Sequence, residues 1–186
     1  MEESQEYDGS QLRAHWIHRR TGVVGDALVA FRGPCRVLPD EMADLQDLLH
    51  GPGIRGGDMV HFLWEAFDDM HLGQALHRQR LFSAQALECL RELGERGNEL
   101  RRQGDDLFLG PGKLSISIAT RTPVSTVIHF AVNATNEGTP VTTASLQDLG
   151  VEPRAFAELL LERAAQEQQS IRQARGLIRA KGESEA

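Results

Sequence analysis

The sequence predicts an α+β domain built on a mixed, largely antiparallel sheet with helices packed against it. Three observations carry that expectation. Apolar residues recur at three- and four-residue steps from Leu72 to Leu93, alternate with small polar ones from Lys113 to Asn133, and return to helical spacing from Pro153 to about Ile178. A period of 3.6 followed by a period of 2 and then 3.6 again is the mark of helices and hairpins in one chain.

In chain order, residues 1–12 are polar and acidic and are expected to be a flexible start, 13–179 a single domain, and 180–186 a disordered tail. Arg13 to Arg20, broken by Thr21-Gly22, suggests a short strand and turn. Ala27 to Phe31 suggests a buried strand running into a tight turn at Arg32-Gly33-Pro34-Cys35. Pro39-Asp40 opens a helical stretch with Met42, Leu45, Leu48 and Leu49 on one stripe, ended by Gly51-Pro52-Gly53. Asp58 suits the N-cap of a second short helix through Phe62, Leu63 and Ala66. Leu107-Phe108-Leu109 then leads through the Gly110-Pro111-Gly112 turn into a hairpin of Lys113–Arg121 and Ser125–Thr135.

The 186 residues carry 20 Lys and Arg against 27 Asp and Glu, a formal charge of −7, so the overall field argues against nucleic acid and anionic membranes as partners. No stretch approaches the roughly 18 apolar residues that span a bilayer, and the start lacks a secretory pattern. Cys35 and Cys89 form no disulfide framework, which suits a reducing, cytoplasmic location. A metal site is not expected, because His61 and Glu65 have ligand spacing on a presumed helix but lack a third partner. The carboxylate pairs Asp68-Asp69 and Asp105-Asp106 read first as caps and loop polarity, with magnesium as the other reading.

The hairpin is the expected working surface. With Leu114, Ile116 and Ile118 facing a core, the opposite face carries Lys113, Ser115 and Ser117, and the partner strand adds His129 and Asn133. Facing apolar residues requires pairing Lys113 with Asn133, Ser115 with Ala131 and Ser117 with His129, across a loop of Thr122-Pro123-Val124. Small residues on that face leave room for a ligand, although a water-facing sheet is the alternative. His129 is either a hydrogen-bonded structural histidine or a base.

At these residues the chain resembles the biotin protein ligase, lipoate protein ligase and octanoyl transferase superfamily, itself similar to the class II aminoacyl-tRNA synthetase core. The resemblance lies in Gly25 to Arg36, in Lys113-Leu114-Ser115-Ile116-Ser117-Ile118, and in His129-Phe130-Ala131-Val132-Asn133. The whole chain also resembles a prokaryotic domain family of unknown function, through Arg32-Gly33-Pro34-Cys35, Gly104-Asp105-Asp106-Leu107 and the run from Lys113 to Asn133.

The superfamily resemblance implies acyl or adenylate transfer on a small carboxylic acid or acyl group, with ATP and a carrier protein as partners. Lys113 and His129 are then the catalytic candidates, Lys113 as a fixed cation facing charge that develops on oxygen. Arg32, Gly33, Cys35, Ser115, Ser117 and Asn133 are the substrate-binding candidates. A non-catalytic small-molecule or nucleotide-binding module on the same fold is the rival reading, and a homodimer through the last helix a third. Two departures weigh against a full carry-over. The segment Gly138 to Leu146 has no Cys where octanoyl transferases acylate one, and Arg32-Gly33-Pro34 is a thin substitute for a phosphate loop. Cys35 is left as either a relocated nucleophile or a packed thiol.

Overall fold

A computed structural model of the chain describes residues 4–50, 53–68, 70–139, 141–179 and 181. Its frame is a four-stranded antiparallel sheet in the order β1-β2-β7-β6, made from β1 (Ala27–Val37), β2 (Ile54–Ala66), β6 (Ser115–Arg121) and β7 (Thr126–Asn133). A smaller sheet of β3 (Leu100–Gln103), β4 (Asp106–Leu109) and β5 (Gly112–Lys113) adjoins β6, where the Leu114 N–H donates to the Leu107 carbonyl.

The long helices α3 (Leu72–Leu93) and α4 (Pro153–Leu177) cover one face of the main sheet. Both match their expected spans, because each begins and ends on local signals. Pro153 stands in the first turn of α4 with Glu152 capping the Ala155 N–H, and the Gly94 N–H closes α3 on Leu90. Their inward stripes, Phe82, Ala86 and Leu90 from α3 and Phe156, Leu160 and Ala164 from α4, meet Phe62, Phe130 and Ile128 of the sheet. Phe62, Phe82 and Phe130 lie with ring centroids 5.5–6.2 Å apart, Phe82 meeting each of the others edge to face.

The opposite face is covered by the N-terminal segment and α1 (Trp16–Thr21), with Tyr7 and Ile17 packed on Phe31, Cys35, Leu63 and Ala131. The start expected to be flexible is therefore held from Gln5 onward: the Gln5 and Tyr7 N–H groups donate to the Arg32 and Pro34 carbonyls, and the Arg36 N–H donates back to Tyr7. The tail from 182 and residues 1–3 lie outside the described residues.

Several local expectations are corrected. Residues 16–21 are helical, not a strand, and end on Gly22 at φ 75°. The 39–50 stretch is a 3₁₀ turn at Pro39–Glu41 and a separate α2 (Leu45–His50), and part of its expected stop, Gly51-Pro52, lies outside the described residues. The strand at Ala27 continues through Arg32-Gly33-Pro34 rather than turning, because a register shift between Gly33 and Cys35 absorbs the proline on the outer strand of the sheet.

The largest correction is β2. The helix expected from Asp58 is the central strand, buried without a break from Met59 to Ala66. Burial on both faces removes the polar alternation that distinguishes a strand from a helix.

Candidate functional site

The hairpin exists, but its register is one residue from the expected one. Arg121 pairs with Thr126, Ile118 with His129, Ser117 with Phe130 and Ser115 with Val132. The loop explains the slip. Four residues, Thr122 to Ser125, close it, because Thr122 Oγ1 accepts from the Val124 and Ser125 N–H groups and the Ser125 hydroxyl reaches Glu65 Oε1 at 2.8 Å. The faces are thereby exchanged: Ser115, Ser117 and Ala119 sit over the helices, while Ile116 and Ile118 share a face with Ala131 and His129.

On that second face lies a hollow of about 320 Å³. Its walls come from Tyr7 and Leu12, from Glu41 to Asp47, from Ile54, and from Ile116, Ser117 and Ile118 on β6. Lys113 and His129 both line it. The Lys113 ammonium is 2.8 Å from Asp106 Oδ2, both groups being half-buried. Burial pushes the Asp106 carboxyl up, with Lys113 pulling it back and Asp105 and Asp47 pushing it further up. Alongside, Arg80 Nη1 donates to Asp105 Oδ1 at 2.7 Å.

His129 is 2% exposed and stacks on the Tyr7 ring with centroids 3.6 Å apart. Its Nε2 lies 3.0 Å from His61 Nδ1, and His61 Nε2 lies 3.1 Å from the Gly33 carbonyl. A carbonyl only accepts, so His61 Nε2 carries a proton; in a neutral ring His61 Nδ1 then accepts, and His129 Nε2 is the donor. Neutrality follows from burial, which lowers His61 to about 4 and His129 well below its ordinary range, the latter further depressed by His61. The pair thus fixes its own tautomers and leaves His129 Nδ1 unprotonated.

The other expected site residues separate from this hollow. Arg32 is on the helix-covered face, where its Nε and Nη2 grip Asp58 at 2.5–3.2 Å. Gly33 abuts the Gln5 backbone and serves the histidine pair through its carbonyl. Cys35 is 2% exposed, and desolvation pushes its thiol up to about 12, the opposite of an activated nucleophile. Ser115 is buried beneath β4, its hydroxyl accepting from the Leu107 N–H. Ser117 lines the hollow but also bonds Gln79 Nε2 and the His129 carbonyl. Asn133 Nδ2 donates to the Lys113 and Ala144 carbonyls, anchoring the lysine strand.

His61 and Glu65 share a strand, not a helix, so the ligand spacing read on a helix does not hold, and no cluster of three metal-ligating side chains occurs among the described residues. Asp68 binds Arg78, Asp105 binds Arg80, and Asp69 lies outside the described residues. Tyr7 was not among the residues expected at the site, and His61 and Asp106 were weighed only for metal binding or as caps. Only His61 carried a local signal: as a strand residue in Met59-Val60-His61-Phe62-Leu63 it would have been placed opposite Ala131, beside His129.

The lining of this hollow is acidic. Its two cations are each matched by a carboxylate, and Glu41, Asp44 and Asp47 add three further negative charges to the lining.

Among the described residues no helix is long and apolar enough to cross a membrane. A solved protein of unknown function from Pyrococcus horikoshi is 38% identical, with a TM-score of 0.91 over 97% of this chain and 95% of that one. Biotin protein ligase from Aquifex aeolicus in complex with biotin and ATP is similar at a TM-score of 0.57 and 10% identity, over 91% of this chain and 70% of that one. Ta0514, a putative lipoate protein ligase from T. acidophilum with bound lipoic acid, is similar at 0.52 and 15%, over 91% and 86%. These two likenesses show a shared fold, and the α+β class expected from the sequence is the class observed. The uncharacterized protein MJ0805 of Methanocaldococcus jannaschii is 32% identical over 151 residues, 78% of this chain and 67% of that protein. The family described as Domain of unknown function (DUF366) matches residues 1–179, and the chain belongs to it.

Proposed function

For this DUF366 member on the biotin and lipoate ligase fold, we propose acyl transfer: the hollow takes a small acyl group, and the Lys113 ammonium stabilises the oxyanion formed at its carbonyl. The observation that carries the reading is that Lys113, held by Asp106 at 2.8 Å, lines a 320 Å³ hollow together with Ile116 and Ile118. The excess of carboxylates there favours a neutral acyl carbonyl, such as a thioester or amide, over a free carboxylate or an adenylate. With Cys35 buried, transfer would be direct. An acceptor amine attacks the carbonyl, the new C–N bond forms as the bond to the leaving group breaks, and the amine proton leaves with that group. A lysine on a carrier protein is a suitable acceptor.

Lys113→Ala tests this, with circular dichroism to show the fold intact. Short-chain acyl thioesters should bind the parent and lose affinity at least about tenfold in the variant, a difference of roughly 1.4 kcal/mol. Equal binding of every acyl, adenylate and nucleotide ligand by both proteins would end the proposal.

A second reading, a non-catalytic binding module, is favoured by the pairing of both cations in the hollow. Acyl-thioester turnover with an amine acceptor, or pyrophosphate release from ATP with a panel of carboxylic acids, would exclude it.

A further inference from the structure

A second recess, of about 410 Å³, opens between α3 and α4 and shares no lining residue with the hollow. Among the described residues, Arg78, Arg172 and Arg175 line it against a single carboxylate, Asp68, a formal excess of two positive charges on a chain whose total is −7. His77, Leu81 and Ile171 contribute further wall. Five arginines elsewhere, Arg32, Arg80, Arg96, Arg154 and Arg163, each grip an Asp or Glu. Neither Arg172 nor Arg175 does so among the described residues, and Arg172 Nε donates only to the Gln168 carbonyl of its own helix.

Arg78 forms the most buried part of the wall. It is 8% exposed, lies over the Trp64 ring at 5.5 Å and donates through Nη2 to Asp68 at 3.0 Å, while its Nη1 is buried with no acceptor among the described residues. A buried guanidinium N–H left unpaired costs about 1–3 kcal/mol.

We propose that this groove binds a small phosphate-bearing ligand. A phosphate ester carries about −1.5 to −2 at neutral pH and several acceptor oxygens, which matches the excess of two charges; a single carboxylate would leave half of it unbalanced. Leu81 and Ile171 give an organic substituent on the phosphate something to rest on.

Calorimetric titration of the full chain at low ionic strength tests this with inorganic phosphate, a nucleoside monophosphate and acetate as probes. Saturable phosphate binding is expected, weakened at least about tenfold in the R172Q/R175Q double variant and unchanged in R101Q/R102Q, which removes exposed arginines elsewhere. Tighter binding of the monophosphate than of inorganic phosphate identifies an organic phosphate as the ligand, and equal binding identifies the free ion. Lys113→Ala should leave all of this unchanged, which separates this site from the acyl hollow. The proposal is overturned if no saturation occurs by about 10 mM, if acetate binds as well as phosphate, or if the double variant, folded by circular dichroism, binds as the parent does.

Discussion

Gly33→Ala should peel the N-terminal segment from the sheet. An added Cβ would stand 2.1 Å from the Gln5 carbonyl oxygen, 2.6 Å from its carbon and 2.9 Å from its nitrogen, all backbone atoms that no rotamer change can move. Ordinary contact requires more than 1 Å of retreat. Three backbone hydrogen bonds depend on the close approach: Gln5 to Arg32, Tyr7 to Pro34 and Arg36 to Tyr7. At about 1 kcal/mol each, with roughly 2 kcal/mol for re-exposing the Tyr7 ring, full release costs about 5 kcal/mol, and partial release proportionally less. Because Tyr7 stacks on His129 and walls the hollow, the site should open at the same time. Urea unfolding measures the energy and amide exchange of residues 5–12 reports the detachment. Gly73→Ala, at a helical position with nothing within 4 Å, is the control and should be neutral or slightly stabilising. A Gly33→Ala protein that loses under about 1 kcal/mol and keeps slow exchange at Tyr7 would refute the reasoning.

Two further outcomes follow from the burial of titratable groups. The histidines of the His61–His129 pair have folded-state pKa values depressed below 6.5, so their contribution to stability is complete above pH 6.5 and is lost as pH falls toward about 4; for His61 alone it amounts to about 3 kcal/mol. Unfolding midpoints measured from pH 7 to 4 should show that slope, and the H61F/H129F double variant should flatten it; an unchanged slope would count against a neutral buried pair. Cys35, 2% exposed and with its thiol pushed up to about 12, should react with a disulfide reagent only as fast as the native state opens, so labelling at the free-thiol rate in native buffer would show the site to be accessible.

What could be read from the chain was what short-range chemistry decides. The spans of α3 and α4 follow from apolar periodicity closed by Gly94 and opened by Pro153, and the β6–β7 hairpin from alternation over Lys113 to Asn133. The charges and cysteines were equally plain. Lys113 and His129 both line the hollow, but not from the neighbouring strands expected: Lys113 stands on β5 opposite Phe108, and His129 on β7 opposite Ile118.

Tertiary structure alone decided the rest. A four-residue loop in place of three, set by Thr122 and by Glu65 sixty residues upstream of Ser125, exchanged the two faces of β6. Burial on both sides disguised β2 as a helix and with it hid His61, whose partner is 68 residues away. The acidity of the hollow arises because α2, the β3–β4 turn and β5 converge there, and no local pattern records convergence. Periodicity reports which face of an element is apolar; register, charge balance and the protonation of buried groups depend on what is brought opposite, which is a property of the folded chain.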